Sequence, residues 1–122
     1  MSIVLVVDDR LQSRYIVGRA LEHAGYDVRE AATGQQALEL ARIPPDVIVL
    51  DVRLPDLDGF EVCRRLKLDP RTAVIPVVHK TAASDPIGHE RSLACGGAVY
   101  LTEPLSAEQL LTTVRKLLEA AA

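Results

Sequence analysis

A chain of 122 residues with 48% apolar and 25% charged side chains can bury one core beneath a soluble surface, which excludes two independent domains. A net charge of −3 and an aromatic content of 3% argue against direct nucleic-acid binding through basic patches or base stacking. The apolar runs "IVLVV" and "VIVL" are too short to span a bilayer, and no basic segment leads into a signal-like core; no membrane insertion is expected, and in a bacterial source the location would be cytoplasmic.

The first run, residues 3–7, is β-branched and reads as a strand. It is followed by "DDRLQSR" and a helical stripe of Ile16, Val17, Ala20, Leu21 and Ala24 that ends at Gly25. Residues 26–31 form a second strand, and Thr33 with Gln36 has the spacing of a capping box for a second helix. A third strand at 47–50 leads to Asp51. Asp58 can then cap a helix through Phe60, Cys63 and Leu66. Pro76 is acceptable only as the first residue of the fourth strand, 77–79, because it cannot donate to a ladder. Gly96 and Gly97 mark a helix stop before the fifth strand, 99–101. Ser106 with Gln109 opens a last helix with its stripe on Leu110, Leu111, Val114, Leu117 and Leu118, and the alanines after Glu119 read as a fraying end.

Strands this apolar suit a sheet covered on both faces, and five strands alternating with five helices predict a flavodoxin-like (βα)5 fold. The expected architecture is one domain over residues 1–122, with a parallel sheet in the order 2-1-3-4-5 and right-handed crossovers. Cys63 and Cys95 are too few for a disulfide framework and lack metal-ligand spacing, so both are expected to be reduced structural thiols. His23, His79 and His89 have no partner spacing and read as structural or solvent-facing.

In a sheet of this kind the functional rim lies beyond the carboxyl ends of the strands. There the sequence places Asp8, Asp9, Asp51, Thr81, and Glu103 with Pro104. Three aspartates converging from neighbouring strands repel one another and imply a counter-ion; hard oxygen ligands in an open site favour Mg²⁺, with Mn²⁺ as the alternative. An aspartate at a strand end is often only a helix cap, but that reading does not explain Asp8, Asp9 and Asp51 together.

The segments "LVVDD", "PPDVIVLDVRLPDLDGFEVCRRLK", "IPVVHKTA" and "YLTEPLS", in this order and spacing, resemble a bacterial response-regulator receiver domain of the chemotaxis-regulator type over essentially the whole chain. The resemblance implies a phosphoacceptor switch of a His-to-Asp phosphorelay, not an enzyme beyond its own phosphorylation and dephosphorylation. Asp51 would accept the phosphoryl group from a histidine kinase, a phosphotransfer protein or a small phosphodonor. Asp9, Asp51 and the Arg53 carbonyl would hold Mg²⁺, with Asp8 helping through water. Thr81 would contact the phosphoryl oxygen, and Tyr100 would follow as the switch aromatic. The fourth helix, fifth strand and fifth helix would then present a face to an output domain or partner protein.

The family carries lysine where this chain has Glu103. Three aspartates, that lysine and Mg²⁺ sum to zero, whereas with Glu103 the sum is −2, and one opposed pair at about 4 Å is on the order of 4 kcal/mol at an effective dielectric of about 20. The reversal is expected to suppress phosphoryl occupancy unless something compensates. Arg53 is the favoured substitute, because its guanidinium fork suits phosphate oxygens. Lys80 is expected to point away from the site by strand alternation, and Glu103 is expected either to swing into solvent or to take up a proton. The alternative function is a receiver-like interaction module that works without phosphorylation. A metal hydrolase is disfavoured because "DVR" puts no acid in register with Asp51, and a dinucleotide site because "DDRLQSR" has no glycine. "GGA" at residues 96–98, where the family has an acidic residue, predicts a less rigid loop.

Overall fold

The computed structural model describes residues 1–82 and 86–121. Its elements alternate along the chain as β1 (Ile3–Val7), α1 (Leu11–His23), β2 (Asp27–Ala31), α2 (Gly34–Leu40), β3 (Val47–Asp51), α3 (Gly59–Leu68), β4 (Val77–Thr81), α4 (Gly88–Ala94), β5 (Val99–Thr102) and α5 (Ala107–Ala121). All strand pairings are parallel and the sheet order is β2-β1-β3-β4-β5, as the alternation requires. The reversal of winding direction falls between β1 and β3, so Asp8 and Asp51 lie beside each other at the switch point.

Two apolar cores sandwich the sheet. Leu5, Val7, Ile48, Leu50 and Val77 meet Val62, Cys63 and Leu66 of α3 on one side. Val4, Val6, Val47, Val49 and Val78 meet Leu21 of α1 with Leu110 and Val114 of α5 on the other. β3 and β4 are buried along their whole length, consistent with strands covered on both faces.

The caps form as expected. Thr33 accepts from the Gln36 amide, Asp58 from the Glu61 amide, and Ser106 and Gln109 cap each other reciprocally at 2.9 and 3.1 Å. Gly25 and Gly96 take the left-handed conformation at the helix stops, with φ of 97° and 95°. α5 runs to Ala121, and Ala122 lies outside the described residues.

Four expectations need correction. β3 and β4 each extend into the site, to Asp51 and Thr81, because polar residues at a strand end still donate to the ladder. Pro76 sits one residue before β4, where its carbonyl accepts from the Ile48 amide. Ile16 is 58% exposed, since the buried stripe of α1 runs through Gly18 and Leu21. The loop at 96–98 is tightly packed: a Cβ on Gly97 would lie 2.8 Å from His79 Nδ1 and closer still to Ser92 Oγ.

Candidate functional site

Asp51 ends β3 with its side chain 5% exposed, and the Arg53 amide fixes its Oδ1 at 3.1 Å. Asp8, fully buried, follows β1, and Asp9 stands exposed beside it. One carboxylate oxygen from each of Asp8, Asp9 and Asp51 lies within 4.8 Å of the other two, so the three expected metal ligands do come together. Gly59, the first residue of α3, is pressed against the end of β3, where its amide reaches the Val52 carbonyl at 2.8 Å and a Cβ would meet the Asp51 carbonyl. Thr81 is buried at the end of β4.

Lys80 is the main departure from the expected site. Its side chain is 2% exposed, and its Nζ lies 2.8 Å from Asp8 Oδ2, 3.3 Å from Glu103 Oε1 and 3.9 Å from Asp51 Oδ2. Alternation along β4 does separate Lys80 from Thr81, but the residue paired with Asp51 across the β3–β4 ladder is Lys80 itself. Partners in register on parallel strands share a face, so Lys80 enters the acidic pocket.

Arg10 is the second cation, and sequence reasoning passed over it. From the turn after β1 its guanidinium reaches Asp8 Oδ1 at 3.3 Å, Asp51 Oδ2 at 3.3 Å and Glu103 Oε1 at 3.0 Å. The only signal in the sequence was a basic residue directly after the acidic pair. Arg53 meets Asp51 through its backbone amide, and its guanidinium makes no ion pair with the pocket carboxylates among the described residues. The compensation for Glu103 therefore comes from Lys80 and Arg10, not Arg53.

Glu103 does not swing free, and its cationic neighbours favour the ionised carboxylate over proton uptake. It follows a backbone bond from its own amide to the Thr81 carbonyl, precedes a cis bond to Pro104, and its side chain sits 25% exposed between the two cations. Burial alone would raise its carboxyl, but the Arg10 hydrogen bond and the Lys80 charge hold it below the usual range. Asp8 behaves alike: burial opposes ionisation, and the Lys80 ammonium, the Ser13 hydroxyl and the Arg10 amide bring it down to about 2. Asp51 is pushed up by burial, with the Arg53 amide and the Lys80 charge acting against the rise.

The charge count changes accordingly. Among the described residues, four carboxylates (Asp8, Asp9, Asp51, Glu103) share the pocket with two cations (Lys80, Arg10), a net of −2. Three aspartates and one lysine give the same −2. A divalent ion neutralises either arrangement, so the donor set fits Mg²⁺ despite the glutamate.

Other residues fall outside this pocket. Tyr100 is half-buried on β5 with its hydroxyl against Gly88 at the start of α4, and His89 packs edge-on to its ring. Cys63, His79 and Cys95 converge to within 4.8 Å, although their sequence spacing gave no hint of it. Their polar atoms are already engaged. His79 bonds Ser92 Oγ and the Gly59 carbonyl, and each thiol contacts a backbone carbonyl. Burial and the neighbouring Cys95 push the Cys63 thiol up to about 12, which keeps it neutral and a poor ligand.

Comparisons with known proteins bear on the fold and the family. Residues 4–115 match the family model described as a response regulator receiver domain. The chain is 42% identical over 116 residues to the DNA-binding dual master transcriptional regulator RpaA of Synechocystis, covering 94% of this chain and 48% of that one. It is 41% identical over 115 residues to the response regulator PleD of Caulobacter vibrioides, covering 93% and 25%. The chain thus spans about half or less of the length of these curated relatives. Among solved structures it superposes on the chemotaxis protein CheY4 of Vibrio cholerae with a TM-score of 0.90 at 33% identity, covering 96% of this chain and 98% of that one. The receiver domain of a histidine kinase from Syntrophus aciditrophicus gives 0.91 at 33% identity, covering 98% and 92%.

Proposed function

Because the chain belongs to the response-regulator receiver family of two-component signalling, we propose that it works as a phosphoacceptor switch with Asp51 as the acceptor. The observation that carries this reading is the asymmetry of the Asp51 carboxylate. Its Oδ1 is tied to the Arg53 amide, while its Oδ2 faces Arg10 and Lys80 at the mouth of the acidic pocket. Oδ2 is the nucleophile. Its lone pair forms the O–P bond as the P–N bond of a phosphohistidine, or the P–O bond of an acyl phosphate, breaks and its electron pair leaves with the donor. A carboxylate needs no base for this step, so the chain's task is to orient Asp51 and to neutralise the three terminal oxygens.

Asp8, Asp9 and Asp51, with the Arg53 carbonyl, would hold Mg²⁺, whose charge would offset that of the phosphoryl oxygens. Thr81 at the end of β4 and Tyr100 against Gly88 on α4 would pass occupancy of the site to the face formed by α4, β5 and α5. A histidine kinase or phosphotransfer protein would be the donor, and an output domain or partner protein the reader. No described helix is long and apolar enough to cross a membrane. The alternative, a module that binds its partner without phosphorylation, rested on an uncompensated Glu103, and the two cations remove that ground.

The test is the intact mass after incubation with Mg²⁺ and acetyl phosphate. One phosphoryl adduct is expected on the wild type and none on Asp51→Asn. An adduct retained by Asp51→Asn would refute the assignment, and no adduct on either would favour the interaction module.

A further inference from the structure

We propose that Lys80, reaching in from β4, is the residue that grips the transferred phosphoryl group, and that Glu103 positions it. The proposal rests on Asp51 being the acceptor and assigns a role that the reading above leaves open. In the family this cation comes from the loop after β5; here that loop carries the anion and the neighbouring strand carries the cation.

Burial is the first argument. An ammonium that is 2% exposed is retained in a fold only when it is paired, and Lys80 finds Asp8, Glu103, Asp51 and the Ser13 hydroxyl, the last at 3.5 Å. Direction is the second. Lys80 and Asp51 are ladder partners, so their side chains leave adjacent strands at the same level and on the same face. Spacing is the third. Nζ is 3.9 Å from Asp51 Oδ2, beyond a hydrogen bond, while its closest contact is Asp8 at 2.8 Å. A phosphoryl group added to Oδ2 brings terminal oxygens towards Nζ, which exchanges its long contacts for short ones without leaving Asp8. Glu103 holds Nζ at 3.3 Å as a second anchor beside Asp8 at 2.8 Å, and two anchors from separate strands' ends fix the ammonium more tightly than one aspartate would.

Arg10 competes for the role, since its Nη2 is 3.3 Å from the same oxygen. Its side chain is 44% exposed and enters from a turn, so it is the less preorganised of the two.

The experiment measures the initial rate of adduct formation by intact mass, with Mg²⁺ and acetyl phosphate, on the whole chain. The variants are Asp51→Asn, Lys80→Met, Arg10→Gln, Glu103→Gln and the exchange Lys80→Val with Glu103→Lys, each checked for fold by circular dichroism. Lys80→Met is expected to lose roughly 100-fold, as for removal of one preorganised charge-stabilising donor. Glu103→Gln is expected to lose roughly tenfold through misplacement of Nζ. The exchange should return to within about tenfold of wild type, a rescue that a merely structural lysine would not give. Equal rates in Lys80→Met and wild type, or a greater loss in Arg10→Gln than in Lys80→Met, would overturn the assignment. If Lys80→Met does not fold, the exchange decides: a folded exchange variant that fails to react also overturns it. Absence of an Asp51-dependent adduct on wild type would defeat the phosphoacceptor reading as well, which separates the two failures.

Discussion

Glu103→Lys installs the family residue, and by the structure it damages this protein instead of repairing it. At an effective dielectric of about 20, the Glu103 contacts with Lys80 at 3.3 Å and Arg10 at 3.0 Å are each worth about 5 kcal/mol as upper bounds. The Arg10 contact must be discounted heavily, because the guanidinium is 44% exposed and surface pairs are worth about 0–1 kcal/mol. The Lys80 contact retains more, since breaking a buried pair costs about 3–5 kcal/mol, but Lys80 keeps Asp8 at 2.8 Å. The new ammonium would turn towards solvent to avoid two like charges. A loss of about 2 kcal/mol follows, and for a chain of this length that is a fall of about 8 °C in Tm. Thermal unfolding by circular dichroism, at the same ionic strength for both proteins, reads the shift. Adduct formation should be no faster than in wild type. A variant that melts higher than wild type, or takes up phosphate faster, would refute the account of Glu103 as the partner of Lys80.

Asp9→Asn removes one of three converging carboxylates while sparing the buried pair of Asp8 with Lys80; Mg²⁺ affinity by calorimetry should fall at least tenfold with Tm changed by no more than about 2 °C. Gly59→Ala drives a Cβ into the backbone at the end of β3, and an expected cost of about 1–3 kcal/mol should appear as a lower urea midpoint with unchanged slope. His79 carries a pH signature. Burial holds its folded-state pKa below the ordinary 6.5, with the Gly59 carbonyl acting the other way. Between the two values the unfolded chain binds more protons, so the neutral ring's contribution is complete above about 6.5 and drains away as pH falls towards the folded value. Urea midpoints taken from pH 7.5 to 5.5 should decline more steeply in wild type than in His79→Gln; parallel slopes would count against it.

The legible parts of the sequence were those with local causes. β-branched runs, the Thr33 cap, the reciprocal Ser106–Gln109 box, Asp58 and the stops at Gly25 and Gly96 each act within a few residues, and each appears in the fold, although Gln36 reaches back to the Ala32 amide and not to that of Thr33. Asp8, Asp9 and Asp51 were legible because strand ends in a parallel sheet share one rim. Lys80 was misjudged because alternation was counted from Thr81 alone, whereas facing is decided by the β3–β4 register, a nonlocal quantity. Arg10 looked like an ordinary loop residue, and only the fold brings Asp51 and Glu103 to it from 41 and 93 residues away. The packing of Gly97 against His79 and Ser92 was hidden for the same reason.

The pairing of Lys80 with Asp51 also bears on how such a pocket can arise by single substitutions. Moving a positive charge from the loop after β5 into β4 takes two changes, and their order is not free. If the loop lysine were lost first, four carboxylates would face Arg10 alone; if the strand lysine came first, two ammonium groups would overlap for a time, strained but serviceable. The second route keeps an ammonium, and not the half-exposed Arg10 alone, beside the acceptor at every step. On that route the glutamate would enter last, as relief for a crowded pocket, and what looks in the linear sequence like a disabling reversal is tolerated because Lys80 and Arg10 already stand beside it.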